Sequence, residues 1–357
     1  MGAKYQDIIK WLKEEMEEER ILPGSKIPSE HSLSAQFHVT RQTVRHAIDV
    51  LEEEGLLYRI QGSGTYAQAD TYKQIEGRNS VAFITTYVDG YIFPKIIQGL
   101  EKKLSEYGYS VQIAFTNNRF DREKAVLEDF LSREEIAGVI AEPTKSSFPN
   151  PNLDLYKALQ KRHIPVLFIN SFYPELDMPH VSIDDKQAGK LAAEYLLERG
   201  HRKIGGIFKM DDGQGRLRYA GMVEAMREMK VPVEDNYFYW IDTADVHAFA
   251  QNREKLLWRF KECTGIVCYN DEVAFAAKDI FQKAGIRIPE DMSIVSIDNA
   301  ELAMLSDVPL TSINHPKDIL GEKAADNLIG ILQRRITDAT FEFQPTIIER
   351  DSVKSLL

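Results

Sequence analysis

Residues 39 to 66 read VTRQTVRHAIDVLEEEGLLYRIQGSGTY. Thr40 stands where a helix cap belongs. Val44, Ile48 and Leu51 follow at i, i+4 and i+7, the stripe of a helix lying on a core. Gly55 stops that helix. Two short β-type runs then flank a Gly-Ser-Gly turn, which predicts a hairpin. With Val44 and Ile48 turned inward, Arg41 and Arg45 share the opposite face, one turn apart. Arginine can grip guanine O6 and N7 bidentately or clamp a phosphate. Gln42, Thr43 and the backbone amides at the helix start can reach adenine edges or phosphates. Gly62 and Gly64 let backbone approach backbone, so the hairpin tip from Gln61 to Thr65 can enter a minor groove.

Working upstream, Ser29 can cap a short helix containing Leu33 and Phe37, joined by FHV to the helix just described. Before it, Ile8, Ile9, Leu12 and Met16 recur at helical spacing over about residues 5–19, and ILPGSKIP breaks the chain. Three helices and a hairpin over residues 1–68 predict a winged helix-turn-helix, whose recognition helix presents its N-terminal side chains to the major groove. The chain as a whole has a formal net charge of −11, which argues against nonspecific polyanion binding. Even residues 1–68 hold eight Lys and Arg against eleven Asp and Glu. Six of those acids lie between 7 and 19, and Glu52, Glu53 and Glu54 sit at the far end of the recognition helix, away from Arg41, Arg45 and His46. The local field at the contact face decides, and that face is basic.

Residues 69–79, ADTYKQIEGRN, lack periodicity and read as a linker. From Val81 the pattern changes. The apolar runs VAFITT, VQIAF, GVIAE, VLFIN, IGGIF, FYWI, GIVCY and SIVSI alternate with helical patterns at 93–107, 121–132, 184–199, 214–230, 247–260 and 271–285. Continuous apolar strands between helices imply parallel sheets covered on both faces. Eight such strands exceed one comfortable sheet, so residues 80–357 are expected to form two α/β subdomains. The first is placed at about 80–200 plus about 311–335, the second at about 201–310 plus about 336–357.

Open α/β sheets bind ligands at the carboxyl ends of their strands. Asp298 ends SIVSI, Asn270 and Asp271 follow GIVCY, Glu142 follows GVIA with Lys145 three residues on, and Arg218 lies at a helix start after IGGIF. Tyr91 and Phe93 follow the first strand and can stack on a ligand. Gln187 starts a helix, and His315 precedes Pro316 in a crossover. An Arg, an Asp and an Asn from different strands converging between subdomains suit the vicinal hydroxyls of a small polar ligand. Other roles stand beside these: Asp184 and Asp298 as helix caps, Phe93 as core, Lys145 as a solvated charge, Arg218 paired with Asp211 or Asp212.

The pattern IPSEHSL, F.VTRQTVRHAIDVLEEEGLLYRIQGSGTY resembles the DNA-binding head of the GntR family over about residues 4–68. The resemblance implies DNA contacts by Glu30, Arg41, Gln42, Thr43, Arg45, Gln61 and Gly62, with Lys4 and Tyr5 at the entrance. The family often has Arg after PSE; here His31 stands there. From Ser80 onward the chain resembles the sensor domain of LacI/GalR repressors, a fold shared with periplasmic sugar-binding proteins. GYIFPKIIQGLEKKLSEYGYSV, AAEYLLERGHRKIGGIF, GRLRYAGM, CYNDEVAFAAKDIFQKAG, IPEDMSIVSIDN and LTSINHPKDILGEKAADNL carry that likeness. Its GYDN or GYDD is replaced by SIDN, with Ser296 and Ile297. EPTKS and GIFKMDDGQG are similar to arabinose-responsive members of this kind, which implies L-arabinose as effector. Family positions put Arg218 and Asp298 first in the pocket.

Together these readings predict a repressor of sugar-utilisation genes that binds double-stranded operator DNA as a homodimer, through the first subdomain and its helix at 93–107, and is released by a small sugar. Regulation by another sugar or a sugar phosphate is the alternative, and a sugar-binding or sugar-acting protein with an accessory head the next. DDGQGRLRYAG lacks the third Gly of a dinucleotide fingerprint, no P-loop occurs, and QGSGT lies in the hairpin rather than on a strand-to-helix elbow. An enzyme, a metal site and a cofactor are therefore not expected. Cys263 and Cys268 read as buried reduced thiols. With no apolar stretch of membrane-spanning length and no signal-like N-terminus, a cytoplasmic location is expected.

Overall fold

In the computed structural model the residues described are 4–17, 20–22, 24–53, 56–60, 63–67, 78–87, 91–305, 307–333, 335–336 and 338–357. The chain divides into two compact units, Met1–Gly77 and Arg78–Leu357. Gly55, Gln61 and Gly62 lie outside the described residues.

The first unit holds α1 (Lys4–Glu17), α2 (Glu30–Phe37), α3 (Arg41–Glu53), β1 (Leu57–Ile60) and β2 (Gly64–Ala67). The Ser29 side chain accepts from the Ser32 amide and caps α2. His38, at a φ of 50°, closes it by donating its amide to the Ser34 carbonyl. The Thr40 hydroxyl accepts from the Thr43 amide at 3.3 Å, so α3 starts where the sequence places it. Val44, Ile48 and Leu51 are buried as expected, with Ala47 between them, against Ile8, Leu12 and Leu33. β1 and β2 pair antiparallel from Leu57–Ala67 to Ile60–Gly64. Gly64 has a φ of 139° there, and a side chain would overlap that of Lys26.

The second unit contains two six-stranded sheets. The first uses β3 (Ser80–Thr85), β4 (Ser110–Phe115), β5 (Ile136–Ala141), β6 (Val166–Ile169) and β7 (His180–Ile183), with helices α4 (Phe93–Glu106), α5 (Phe120–Ser132) and α6 (Leu153–Lys161) between strands. After α7 (Asp185–Glu198) the second sheet takes β8 (Ile204–Lys209), β9 (Phe238–Ile241), β10 (Gly265–Cys268), β11 (Ser293–Asp298) and β12 (Thr311–Asn314). Its helices are α8 (Gly213–Glu228), α9 (Thr243–His247), α10 (Arg253–Phe260), α11 (Asp271–Lys283) and the short α12 (Glu301–Met304). The chain returns through α13 (Lys317–Leu332), β13 (Phe341–Phe343) and β14 (Thr346–Ile348). The strand orders are β13-β7-β6-β5-β3-β4 and β14-β12-β11-β10-β8-β9. Every pair is parallel except β12 with β14.

These sheets move three segments from the expected subdomains. β12, expected in the first, pairs with β11 of the second, Val295 opposite Thr311. β13, expected in the second, pairs with β7 of the first. α7, expected in the first, buries Ala188, Ala192 and Leu196 in the second subdomain's core. The cause is where the chain crosses. It does so at 183–185, at His315–Pro316 and at 343–346, each just beyond a strand end, because a strand keeps its ladder partners until its last residue. Cys263 and Cys268 are buried free thiols. Among the described residues no helix is long and apolar enough to cross a membrane.

One close approach prepares the site. α7 and α8 touch backbone to backbone at Gly189 and Gly221. A Cβ on Gly189 would lie 1.9 Å from the Arg218 carbonyl oxygen, and one on Gly221 would lie 1.8 Å from that of Lys186. Only two glycines permit that spacing, and it sets Arg218 of α8 against Asp185 at the start of α7.

Candidate functional site

On the first unit, α3 turns Val44, Ala47, Ile48 and Leu51 inward and leaves Arg41, Gln42 and Arg45 exposed, with Thr43 half-buried. Neither arginine is loose. Arg45 Nε donates to both carboxylate oxygens of Glu30, at 3.0 and 2.9 Å. Glu30 thus holds the Arg45 guanidinium, and its carboxylate can also accept from a base amine in the major groove. Arg41 Nη2 lies 3.3 Å from His31 Nδ1. The residue that departs from the family pattern therefore supports the Arg41 guanidinium. The Tyr5 ring meets His46 edge-on with centroids 4.6 Å apart. Lys4 is the first residue of α1.

On the second unit, the carboxyl ends of both sheets enclose a cavity of about 420 Å³. Tyr91, Phe93, Glu142, Asn270 and Asp298 line it, as expected from strand ends. Asp298 is nearly fully buried and holds a φ of 103°. Its Oδ2 accepts from the Tyr91 hydroxyl at 2.5 Å, and its Oδ1 from Arg218 Nη2 at 3.3 Å. Tyr91 comes from the first subdomain, so its hydroxyl reaches across the cleft, where it also accepts from the Asp271 amide at 3.2 Å.

Arg218 stands one layer behind the wall. Its side chain is 1% exposed. Nε donates to Asp185 at 2.8 Å and Nη1 to the Tyr269 carbonyl at 2.6 Å, and the guanidinium lies 4.9 Å from the Tyr269 ring centre. Burial opposes its charge, but Asp185 and Asp298 outweigh burial and hold its pKa above the usual range. The alternative pairing with Asp211 or Asp212 is not seen; Asp185 takes that place because the two glycines bring α7 onto α8. Burial raises Asp185 to about 7, and Arg218 opposes the rise.

Glu142 is buried and receives four hydrogen bonds. The Thr86 amide and hydroxyl donate at 2.7 and 2.6 Å, the Thr85 hydroxyl at 2.9 Å and the Asn170 amide at 3.1 Å. Burial pushes its pKa up against those donors. Asn170, which closes β6, lines the cavity too and keeps its Oδ1 without a hydrogen bond. A ligand hydroxyl can satisfy it.

Five expected residues lie off the cavity wall. The Asp271 carboxylate faces away, accepting from the Ser296 and Ser312 hydroxyls and from the Ala300 amide at 2.6 Å. Ser296, where the family pattern has a different residue, is thus one of the three partners that hold it. Gln187 gives its backbone amide to Asp184, which caps α7 at 2.8 Å. Lys145, at a φ of 44°, donates its backbone amide to Asn118 Oδ1, and its side chain is not on the wall. His315 is buried in the crossover with neither ring nitrogen hydrogen-bonded, and burial lowers its pKa to about 4. The fifth is Arg218. Residues that the sequence reading passed over include Asn170, Lys209, Asp212, Gln214 and Tyr269, all on the wall, and Asp185 behind it. Asn170 carried the same signal as Glu142, a polar residue closing an apolar run.

Comparison with known proteins fits this geometry. Residues 4–67 match the model of bacterial regulatory proteins of the gntR family. Residues 193–353 match a periplasmic binding protein-like domain. The arabinose metabolism transcriptional repressor of Geobacillus stearothermophilus is 39% identical over 98% of this chain and 96% of its own. That of Halalkalibacterium halodurans is 40% identical over 98% of this chain and 94% of its own. Among solved structures, the transcription regulator CcpA of Lactococcus lactis superposes with a TM-score of 0.69 at 24% identity, over 77% of this chain and 99% of that one, and shares the fold of the second unit.

Proposed function

The chain belongs to the arabinose metabolism transcriptional repressors, DNA-binding regulators rather than enzymes, and on that premise we propose that L-arabinose in the cavity releases its head from operator DNA. The observation that carries this reading is the cavity itself. Asp298 and Glu142 supply oriented acceptors from two subdomains, Asn170 an unfilled acceptor, and Tyr91 and Phe93 aromatic surface. A pentose needs that mixture of paired polar groups and apolar faces.

The charge balance favours a neutral sugar over a sugar phosphate. Glu142, Asp212, Glu272 and Asp298 line the cavity, and among the described lining residues Lys209 is the cation. The helix starts beside it are already matched with carboxylates. Asp212 caps α8, and Asp271 and Glu272 occupy the first turn of α11. A phosphate would meet repulsion where it normally finds a helix dipole.

DNA contact is assigned to Glu30, Arg41, Gln42, Thr43 and Arg45, with Lys4, Tyr5, Gln61 and Gly62 as further contacts carried by the family resemblance. The protein acts in the cytoplasm as a homodimer, two heads reading two half-sites. The apolar stripe of α4 packs on α13, so a dimer built through α4 uses its other face. To switch nearly completely, the sugar must prefer the released state by ~10⁴-fold. The test is a thermal-shift screen of L-arabinose, other pentoses, hexoses and their phosphates, with operator gel shifts for each hit. A stabilising sugar phosphate that releases DNA, with L-arabinose inert, would overturn the assignment.

A further inference from the structure

The three crossovers leave from β7, β12 and β13, the last of them entering β14, and these four strands make up one side of the two sheets. At the opposite edge stand β4 in the first sheet and β9 in the second, and there no chain crosses. The subdomains are nevertheless joined at that edge by side chains. Asn118, just after β4, donates Nδ2 to Thr243 Oγ1 at 2.6 Å and to Asp211 Oδ2 at 3.4 Å. Its Oδ1 accepts from the Lys145 amide at 2.7 Å, which ties the loop after β4 to the loop after β5. From that second loop, Ser146 Oγ accepts from the Gly213 amide at 2.9 Å and donates to Asp212 at 3.2 Å. Ser147 Oγ donates to the Met210 carbonyl. Asn118, Ser146 and Asp211 are buried, and Asn117, Asn118 and Lys145 hold left-handed φ values of 50°, 52° and 44°. Such backbone persists only where surrounding contacts fix it.

We propose that Asn118, seconded by Ser146, is a positioning residue for effector binding: a latch at the hinge-free edge that holds the cleft closed and governs ligand entry and exit. Neither residue lines the cavity, whereas their partners Thr243 and Asp212 do. The latch therefore acts through the wall. It also gives EPTKS and MDDG a shared role, since those two strings meet here. Geometry makes it sensitive to closure. Four strand spacings of ~4.8 Å put the latch roughly 19 Å from the crossover edge. A rotation of about 10° about that edge then separates the latch atoms by ~3 Å, enough to break every bond in it.

The proposal rests on the cavity being the effector site for its binding readout; a second readout needs no ligand. Full-length Asn118→Ala and the pair Asn118→Cys with Thr243→Cys, oxidised and reduced, are compared with the unaltered chain. Hydrogen–deuterium exchange is followed at the Gly213 amide, which is bonded to Ser146 and not to Asn118. The Ala variant is expected to speed that exchange roughly tenfold, the loss of about one hydrogen bond. The oxidised pair is expected to slow it, reversibly on reduction. With L-arabinose as probe, stopped-flow tryptophan fluorescence should show faster association and faster dissociation in the Ala variant, and slowed exchange of sugar in the oxidised pair. A merely structural residue would lower stability without accelerating association. Unchanged Gly213 exchange in the Ala variant and in the oxidised pair overturns the latch. Failure of the unaltered protein to bind L-arabinose overturns the effector and leaves the amide result to judge the latch.

Discussion

Replacing Asp298 by alanine isolates the carboxylate on which the cleft converges. Asp298 accepts the Tyr91 hydroxyl at 2.5 Å and an Arg218 N–H at 3.3 Å. A hydrogen bond to a charged group contributes about 1.5–3 kcal/mol. A sugar that places one or two hydroxyls on this carboxylate therefore loses about 3 kcal/mol, or ~150-fold in Kd. The cost to folding is separate. Removing one partner of a buried ion pair costs roughly 3–5 kcal/mol. Arg218 still keeps Asp185 at 2.8 Å and the Tyr269 carbonyl at 2.6 Å, so the low end applies. The expected protein is folded, binds operator normally and ignores L-arabinose at concentrations that release the unaltered repressor. Calorimetric titration with sugar, thermal melting and an operator gel shift read the three parts. Asp298→Asn, which keeps the shape, should melt higher than the Ala variant and still bind sugar poorly. A Kd within ~5-fold of normal, with ordinary operator release, would refute the reasoning that Asp298 anchors the ligand.

Arg45→Ala should cost operator affinity while L-arabinose titrations are unchanged, and operator binding by the unaltered protein should fall steeply with salt despite the acidic total; simultaneous loss of both activities, or a flat salt dependence, contradicts the two-unit division. Asp271 has a folded pKa raised to about 7 by burial first and the Asp298 charge second. A raised carboxylate favours the folded state at low pH, so its contribution is complete below the ordinary value of 3.8 and is lost as pH climbs through 7. His315, lowered to about 4, works in the opposite sense, its contribution being lost as pH falls. The difference in melting temperature between Asp271→Asn and the unaltered chain cancels His315 and should change steadily from the ordinary value of 3.8 up to about 7 and level off above that; a constant difference across this window rejects the assignment. Gly189→Ala forces a methyl to within 1.9 Å of the Arg218 carbonyl. It should destabilise the second unit by about 1–3 kcal/mol and weaken sugar binding, measured by denaturant melts and calorimetry; normal stability would mean that α7 and α8 separate freely.

The head was legible because its signals are short-range. Ser29 and Thr40 cap as read, and Val44, Ile48 and Leu51 lie inward because one helical period places them there. The strand-end rule found Glu142, Asn270 and Asp298, since a polar residue closing an apolar run is visible in one line of sequence. It failed for Asp271. That residue closes a run equally well, but Ser296 and Ser312, 25 and 41 residues away, draw its carboxylate inward. Lys145 failed for the same kind of reason: Asn118 sets its backbone.

The sequence by itself determined where the head's helices and hairpin and the strands β3–β6 and β8–β11 lie, though not β7, β12, β13, β14, α6 or α13, which face of α3 is basic, and that two α/β layers follow a small head. Periodicity and capping act over three or four residues, so these features are written locally. Only the tertiary structure decided which sheet receives β12 and β13, that Arg218 is held by Asp185, and that Asn118 meets Thr243 across 125 residues. A strand's pattern tells which residues it buries and not beside which strand. A buried charge takes the partner that packing brings within reach, and here two glycines between α7 and α8 made that partner Asp185.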